Sequence, residues 1–142
     1  MNVRDFARIA GIAFILIGVL GFIPGITQLP PPNAPDLAVD TGYGWLLGLF
    51  PVNLLHNLVH IALGAWGLAA ARAWDSARLY ARGTAIIYAV LAVMGLVPGL
   101  NTLFGLAPLF SHDVWLHAGT ALIAAYFGWG PVDERVEVVS RA

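Results

Sequence analysis

Apolar residues run almost unbroken through four stretches of this chain, 7–26, 51–71, 77–97 and 108–129, and polar residues collect between them. Each stretch is close to the ~20 residues that carry a helix across a ~30 Å hydrocarbon core. Helix is the required form there, because lipid offers backbone N–H and C=O groups no partners. The pattern predicts an all-α, integral membrane four-helix bundle forming one domain over residues 1–142, with residues 27–50 as a Pro-rich external loop.

Composition agrees. The chain is 59% hydrophobic and 11% charged, with a mean hydropathy of +0.79, whereas soluble domains run near a quarter charged. A net charge of −1 offers no basic surface, so nucleic acid is excluded as a partner. The absence of Cys excludes disulfides, thiolate metal sites and thiol catalysis. The first run resembles a signal peptide only superficially, since it is long and no small-x-small cleavage site follows.

The placement of charge gives orientation. Arg4 and Arg8 precede the first run, Arg72, Arg78 and Arg82 surround the junction of the second and third, and Arg135 and Arg141 follow the fourth. The connections 27–50 and 100–111 hold no Lys or Arg. Basic residues stay on the cytoplasmic side during insertion, so both termini are predicted to be cytoplasmic. Tyr43, Trp45 and Trp115 fall near the outer boundary, and Trp74, Tyr80, Tyr126 and Trp129 near the inner one, as an aromatic belt would.

The two halves echo each other. Gly21-Phe22-Ile23-Pro24-Gly25-Ile26 matches Gly95-Leu96-Val97-Pro98-Gly99-Leu100, and Leu47-Gly48-Leu49-Phe50-Pro51 matches Phe104-Gly105-Leu106-Ala107-Pro108. Each half is then one helical hairpin in the same orientation, a parallel repeat. The first half carries about 17 more residues in its external loop. Pro30, Pro31, Pro32 and Pro35 make that insert extended and non-helical. Residues 43–50 turn apolar again and are expected at the interface or as a short helix. Pro51 and Pro108 suit a first helical turn, and Gly11, Gly18 and Gly64 suit close helix approach.

The second run holds the densest interior polar series: Asn53, His56, Asn57 and His60, in steps that share one helix face. His60 lies about 13 Å beyond Pro51 at 1.5 Å per residue, near mid-depth. Aligning Pro51 with Pro108 pairs His56 with Asp113 and His60 with His117, while His112 lies nearer the outer surface. Unsatisfied polar groups at this depth cost several kcal/mol, so these six side chains must face inward. Two readings stay open. The stripe fixes helix register through hydrogen bonds contributing ~1 kcal/mol each. Alternatively His56, His60, Asp113 and His117, with i, i+4 spacing on each helix, hold a transition metal, or His60 and His117 hold a haem. No outer-side Arg is available to haem propionates, and a proton relay would find only Thr84, Tyr88 and Thr120 farther in. A hydrolase would need a water-activating centre open to solvent, which the pattern does not supply, so a non-enzymatic protein is expected.

The segment 47–60, Leu-Gly-Leu-Phe-Pro-Val-Asn-Leu-Leu-His-Asn-Leu-Val-His, running on to Gly64 and Gly67-Leu68, resembles the signature of the bacterial domain-of-unknown-function family 4383. The resemblance spans most of the chain and is most specific over 51–60. It implies a small four-pass protein of the bacterial inner membrane, or of a thylakoid in a photosynthetic bacterium, and carries over no activity. The expected role is a structural or accessory subunit of a membrane assembly, with the bilayer and either membrane-protein partners or further copies of the chain as its neighbours. A metal- or haem-binding protein and an oligomeric small transporter or channel are the alternatives.

Overall fold

The computed structural model describes residues 1–131; Arg135, Arg141 and the polar tail from Asp133 lie outside the described residues. Four helices carry the fold: α1 (Val3–Leu20), α2 (Leu54–Ala70), α3 (Trp74–Leu96) and α4 (Asp113–Trp129). The class is all-α, as expected, with one small addition. Strands β1 (Thr27–Gln28), β2 (Gly44–Leu46) and β3 (Phe50–Val52) form an antiparallel sheet in the order β1-β2-β3 within the connection from α1 to α2.

Local chemistry sets the helix ends. α1 starts at Val3, ahead of the apolar run, because Asn2 accepts from the N–H groups of Arg4 and Asp5 while Asp5 accepts from that of Asn2. This reciprocal capping box satisfies donors that a helix start leaves free. α2 begins at Leu54, where Asn53 caps it by accepting from the N–H of His56 at 2.9 Å.

Two expectations are corrected here. Pro51 and Pro108 do not occupy first helical turns. Pro51 lies in β3 opposite Trp45, at the sheet edge where a residue without an N–H is tolerated. Pro108 precedes α4 by several residues. Residues 43–50 form no short helix either. They hold β2 and the turn into β3, with Leu47 at φ 55° and Gly48 at φ 70°. Their counterparts in the second half, Phe104 and Gly105, lie at φ 57° and 84°, and Gly25 and Gly99 lie at 90° and 87°. The left-handed region costs an ordinary side chain ~1–2 kcal/mol, so Leu47 and Phe104 are held there by their surroundings. The insert after Gln28 is non-helical, as its prolines dictate.

Helices pack in pairs, α1 along α2 and α3 along α4, with α1 also meeting α3. A Cβ on Gly64 would stand 2.6 Å from the Gly11 carbonyl oxygen, and one on Gly11 would stand 2.8 Å from that of Gly64. The two backbones therefore touch, and only glycine permits it. Arginines close the helix ends at the same end of the molecule. Arg4 Nε donates to the Ala71 carbonyl at 3.0 Å, and Arg82 Nε donates to the Gly128 carbonyl at 2.8 Å. Each cation meets the negative end of a helix dipole.

The apolar core sets aromatic rings among alanines. Phe6 stacks on Phe127 with centroids 4.9 Å apart, and Phe14 on Tyr88 at 5.3 Å. Tyr80, expected in a boundary belt, is fully buried instead, with Trp66 edge-on at 5.0 Å. Among the described residues, one helix, α3, is long and apolar enough to cross a membrane by length and composition; α2 is apolar but shorter. Arg4, Asp5 and Arg8 load the start of α1, and α4 begins five residues later than its apolar run.

Candidate functional site

Helical spacing delivers the polar cluster. On α2, His56 and His60 lie one turn apart on the buried face, their rings stacked with centroids 4.5 Å apart and planes 10° from parallel. On α4, Asp113 and His117 repeat that spacing, buried to 1% and 2% exposure. The two helices bring these pairs together: His56 Nδ1 lies 3.9 Å from Asp113 Oδ2, and the His56 and His117 rings are 6.5 Å apart. α3 adds Tyr88, whose ring stands edge-on to His117 at 5.2 Å. α1 adds Phe14, edge-on to His60 at 5.6 Å.

Hydrogen bonds assign roles within the cluster. His60 Nδ1 lies 3.0 Å from the His56 carbonyl, an acceptor only, so Nδ1 carries the proton. Nε2 is then the acceptor, and the Tyr88 hydroxyl donates to it at 3.4 Å. Asp113 Oδ2 and His117 Nδ1 have no hydrogen-bond partner among the described residues.

Of the six residues singled out in the sequence, four converge, and two go elsewhere. Asn53 stands at the loops, where its amide nitrogen donates to the carbonyls of Val39 and Leu106, both at 2.8 Å. Asn57 turns toward α1, where its amide packs on Gly21 with neither polar atom partnered. His112 is exposed and edge-on to Phe50. Thr84 is fully buried on α3, its hydroxyl unpartnered. Phe14 carries no signal in the sequence that sets it apart from other core aromatics. The carbonyls of Val39 and Leu106 belong to the backbone, which composition cannot reveal.

This geometry bears on the cofactor expectations. The Nδ1–H of His60 is held by a backbone carbonyl, and its Nε2 lone pair faces the Tyr88 hydroxyl. Among the described residues, no group of three or more His, Asp or Glu side chains is placed to hold a metal ion. What the cluster offers is a group of hydrogen-bonding side chains, enclosed by aromatic rings, beside an apolar pocket that His56, His60, Tyr88 and His117 help to line.

No curated protein and no solved structure matches the chain significantly. The segment around Pro51–His60 that caps α2 and supplies half of the cluster falls within the stretch, residues 4–130, that the model of one family matches, and the chain belongs to that family, a domain of unknown function (DUF4383).

Proposed function

We infer that this is a four-pass integral protein of the bacterial cytoplasmic membrane, with both termini inside, built from two parallel-repeat hairpins and working as a structural or accessory subunit of a membrane assembly. One observation carries the reading: the helices bury a polar cluster while exposing large apolar side chains. Asn53, His56, Asn57, His60, Asp113 and His117 are buried, while Ile9, Ile12, Leu16 and Val19 of α1, Leu79, Ile86, Val90 and Val93 of α3, and Leu122 and Ile123 of α4 are exposed. Soluble monomers rarely expose apolar surface on that scale. The matched left-handed pairs, Leu47-Gly48 and Phe104-Gly105, support the repeat.

Support for an assembly role comes from α4. Trp115, Gly119, Leu122, Tyr126 and Trp129 follow one another in steps of four and three, the spacing of a helix-docking seam. Its large members are exposed, and a Cβ on Gly119 would meet nothing within 4 Å. A notch between large apolar groups is the form that lets a neighbouring helix approach.

The absence of native Cys makes the test direct. Asn33→Cys in the insert and Asp75→Cys in the first turn of α3 are introduced singly and treated with a membrane-impermeant maleimide. Labelling of the first in intact cells, and of the second only after lysis, is expected. The opposite pattern, or recovery of the protein in the aqueous fraction without detergent, overturns the membrane reading. Purification in mild detergent decides the assembly role: a stoichiometric complex or oligomer supports it, and a discrete, partner-free monomer overturns it.

A further inference from the structure

α1 is interlocked with α2, and α3 with α4, but α2 and α3 meet less closely. Leu55, Val59 and Leu63 of α2 face Ile87 and Leu91 of α3 across a pocket of about 350 Å³. The loop between α3 and α4 closes one end of it with Leu103 and Leu106. Its mouth lies on the outer flank of the helices, where Val59 is 53% exposed and Ile87 40%. His56, His60, Tyr88 and His117 form the inner wall, yet almost none of the pocket's surface is polar. Their heteroatoms face the protein instead. His60 Nδ1 meets the His56 carbonyl, His60 Nε2 meets the Tyr88 hydroxyl, and His117 Nδ1 is fully buried. What the cluster turns to the pocket is ring carbon.

We propose that this pocket holds one acyl chain of an outer-leaflet lipid, laid lengthwise between α2 and α3 and held without regard to its head group. The inference rests on the membrane reading above, under which the mouth opens to lipid. Three features set the chemistry. A wall without polar groups excludes water, which needs several polar partners. Hydrocarbon is what restores the dispersion contacts that an unfilled lining forfeits. Length selects a chain over a compact molecule. Leu55, Val59 and Leu63 stand on successive turns of α2 and span about 12 Å at 1.5 Å per residue, most of the ~15 Å of hydrocarbon in one leaflet. Leu55 is the second residue of α2, so the pocket starts at the outer boundary and runs inward. Finally, the connection 100–111, which closes the outer end, holds no charged residue, so nothing there selects a head group.

The test uses the full chain in phosphatidylcholine vesicles doped with a lipid that carries a photoreactive carbene precursor within one acyl chain. The doped lipid has either a choline or a glycerol head, and mass spectrometry of peptides locates the label. Residues 55–63 and 87–91 are expected to label above Ile12 and Leu16, which are exposed on α1 and line no part of the pocket. Labelling is expected to be equal for the two heads. Val59→Trp and Ile87→Trp each close the mouth from an exposed position and should bring pocket labelling down to the level of Ile12 and Leu16. Val90→Trp, 52% exposed on α3 but outside the lining, should leave it unchanged. Uniform labelling of all exposed apolar residues, pocket labelling that survives both mouth variants, or labelling by one head alone overturns the proposal; uniform labelling would mean ordinary lipid contact. Absence of label from Ile12 and Leu16 as well overturns the membrane reading, and the proposal with it, so the two failures are distinguishable.

Discussion

Asn53 donates its amide nitrogen to the carbonyl of Leu106, 53 residues away, at 2.8 Å. The same nitrogen reaches Val39 in the insert, and the same side chain caps α2. One buried amide thus ties the first half, its insert and the second-half loop, and the N–H groups of Ala38 and Val39 reinforce the join by donating to the Gly105 carbonyl. Asn53→Ala removes the cap, at about 1 kcal/mol, and leaves two carbonyls without their donor, at about 1–3 kcal/mol each. A loss of about 3–7 kcal/mol is expected. Asn53→Asp is expected to be worse, although Asp caps helices as well as Asn does, because it turns a carboxylate oxygen toward two carbonyls. Thermal unfolding in detergent checks the order, and an Asp variant as stable as wild type would refute the assigned role.

Two glycines give opposite expectations. Gly64→Ala places a methyl group 2.6 Å from the Gly11 carbonyl, against backbone that has nowhere to retreat. Prising α1 from α2 should cost about 1–3 kcal/mol, the usual penalty of overpacking. Gly119→Ala meets open space on the exposed face of α4 and should raise helix stability by about 0.5–1 kcal/mol. Unfolding midpoints of the two variants should therefore move in opposite directions from wild type.

Helix number, the all-α class and the convergence of His56, His60, Asp113 and His117 were legible in the sequence, because helical periodicity and polar spacing are local properties. The beginnings of α2 and α4 were not. Pro51 is as compatible with a strand edge as with a first helical turn, and pairing of β3 with Gly44–Leu46 decided between them. Such pairing depends on where the insert folds back, which a hydropathy pattern does not record. Asn57 shared a helix face with the histidines, yet Gly21 at the end of α1 drew it to the other side. Tyr80 has the composition of a boundary residue, but the space left by Gly67 admits its ring into the core.

Asp113 carries a testable cost. It is 1% exposed, and its Oδ2 has no hydrogen-bond partner, with His56 Nδ1 at 3.9 Å. Replacing a buried, poorly paired ionisable group by a neutral one of the same shape is often neutral or stabilising. Asp113→Asn can turn an amide N–H toward His56 Nδ1, so stability should hold or rise by about 1–2 kcal/mol. Asp113→Leu, with a branched apolar group against the imidazole, should fall below wild type. A marked drop in the unfolding midpoint of the Asn variant would mean that the carboxyl group itself is required.

Arg82 is expected to contribute to stability beyond the charge that the proposed topology gives it. Its Nε donates to the Gly128 carbonyl at 2.8 Å near the C-terminal end of α4, and its guanidinium carbon lies 5.6 Å from the centroid of the Trp129 ring. A charge-assisted hydrogen bond contributes about 1.5–3 kcal/mol, and a cation over an indole about 0.5–1 kcal/mol. Arg82→Ala should therefore lose about 2–4 kcal/mol. Arg82→Lys keeps the charge, and with it the inside-positive count on which the proposed topology rests, but loses the planar fork that bonds the carbonyl while lying over the ring. The Lys variant should insert as wild type does while recovering less than half of the stability. Maleimide labelling of Asn33→Cys in that background reads orientation, and the unfolding midpoint reads stability. If the Lys variant matches wild type in both, charge alone accounts for Arg82 and the carbonyl bond contributes nothing.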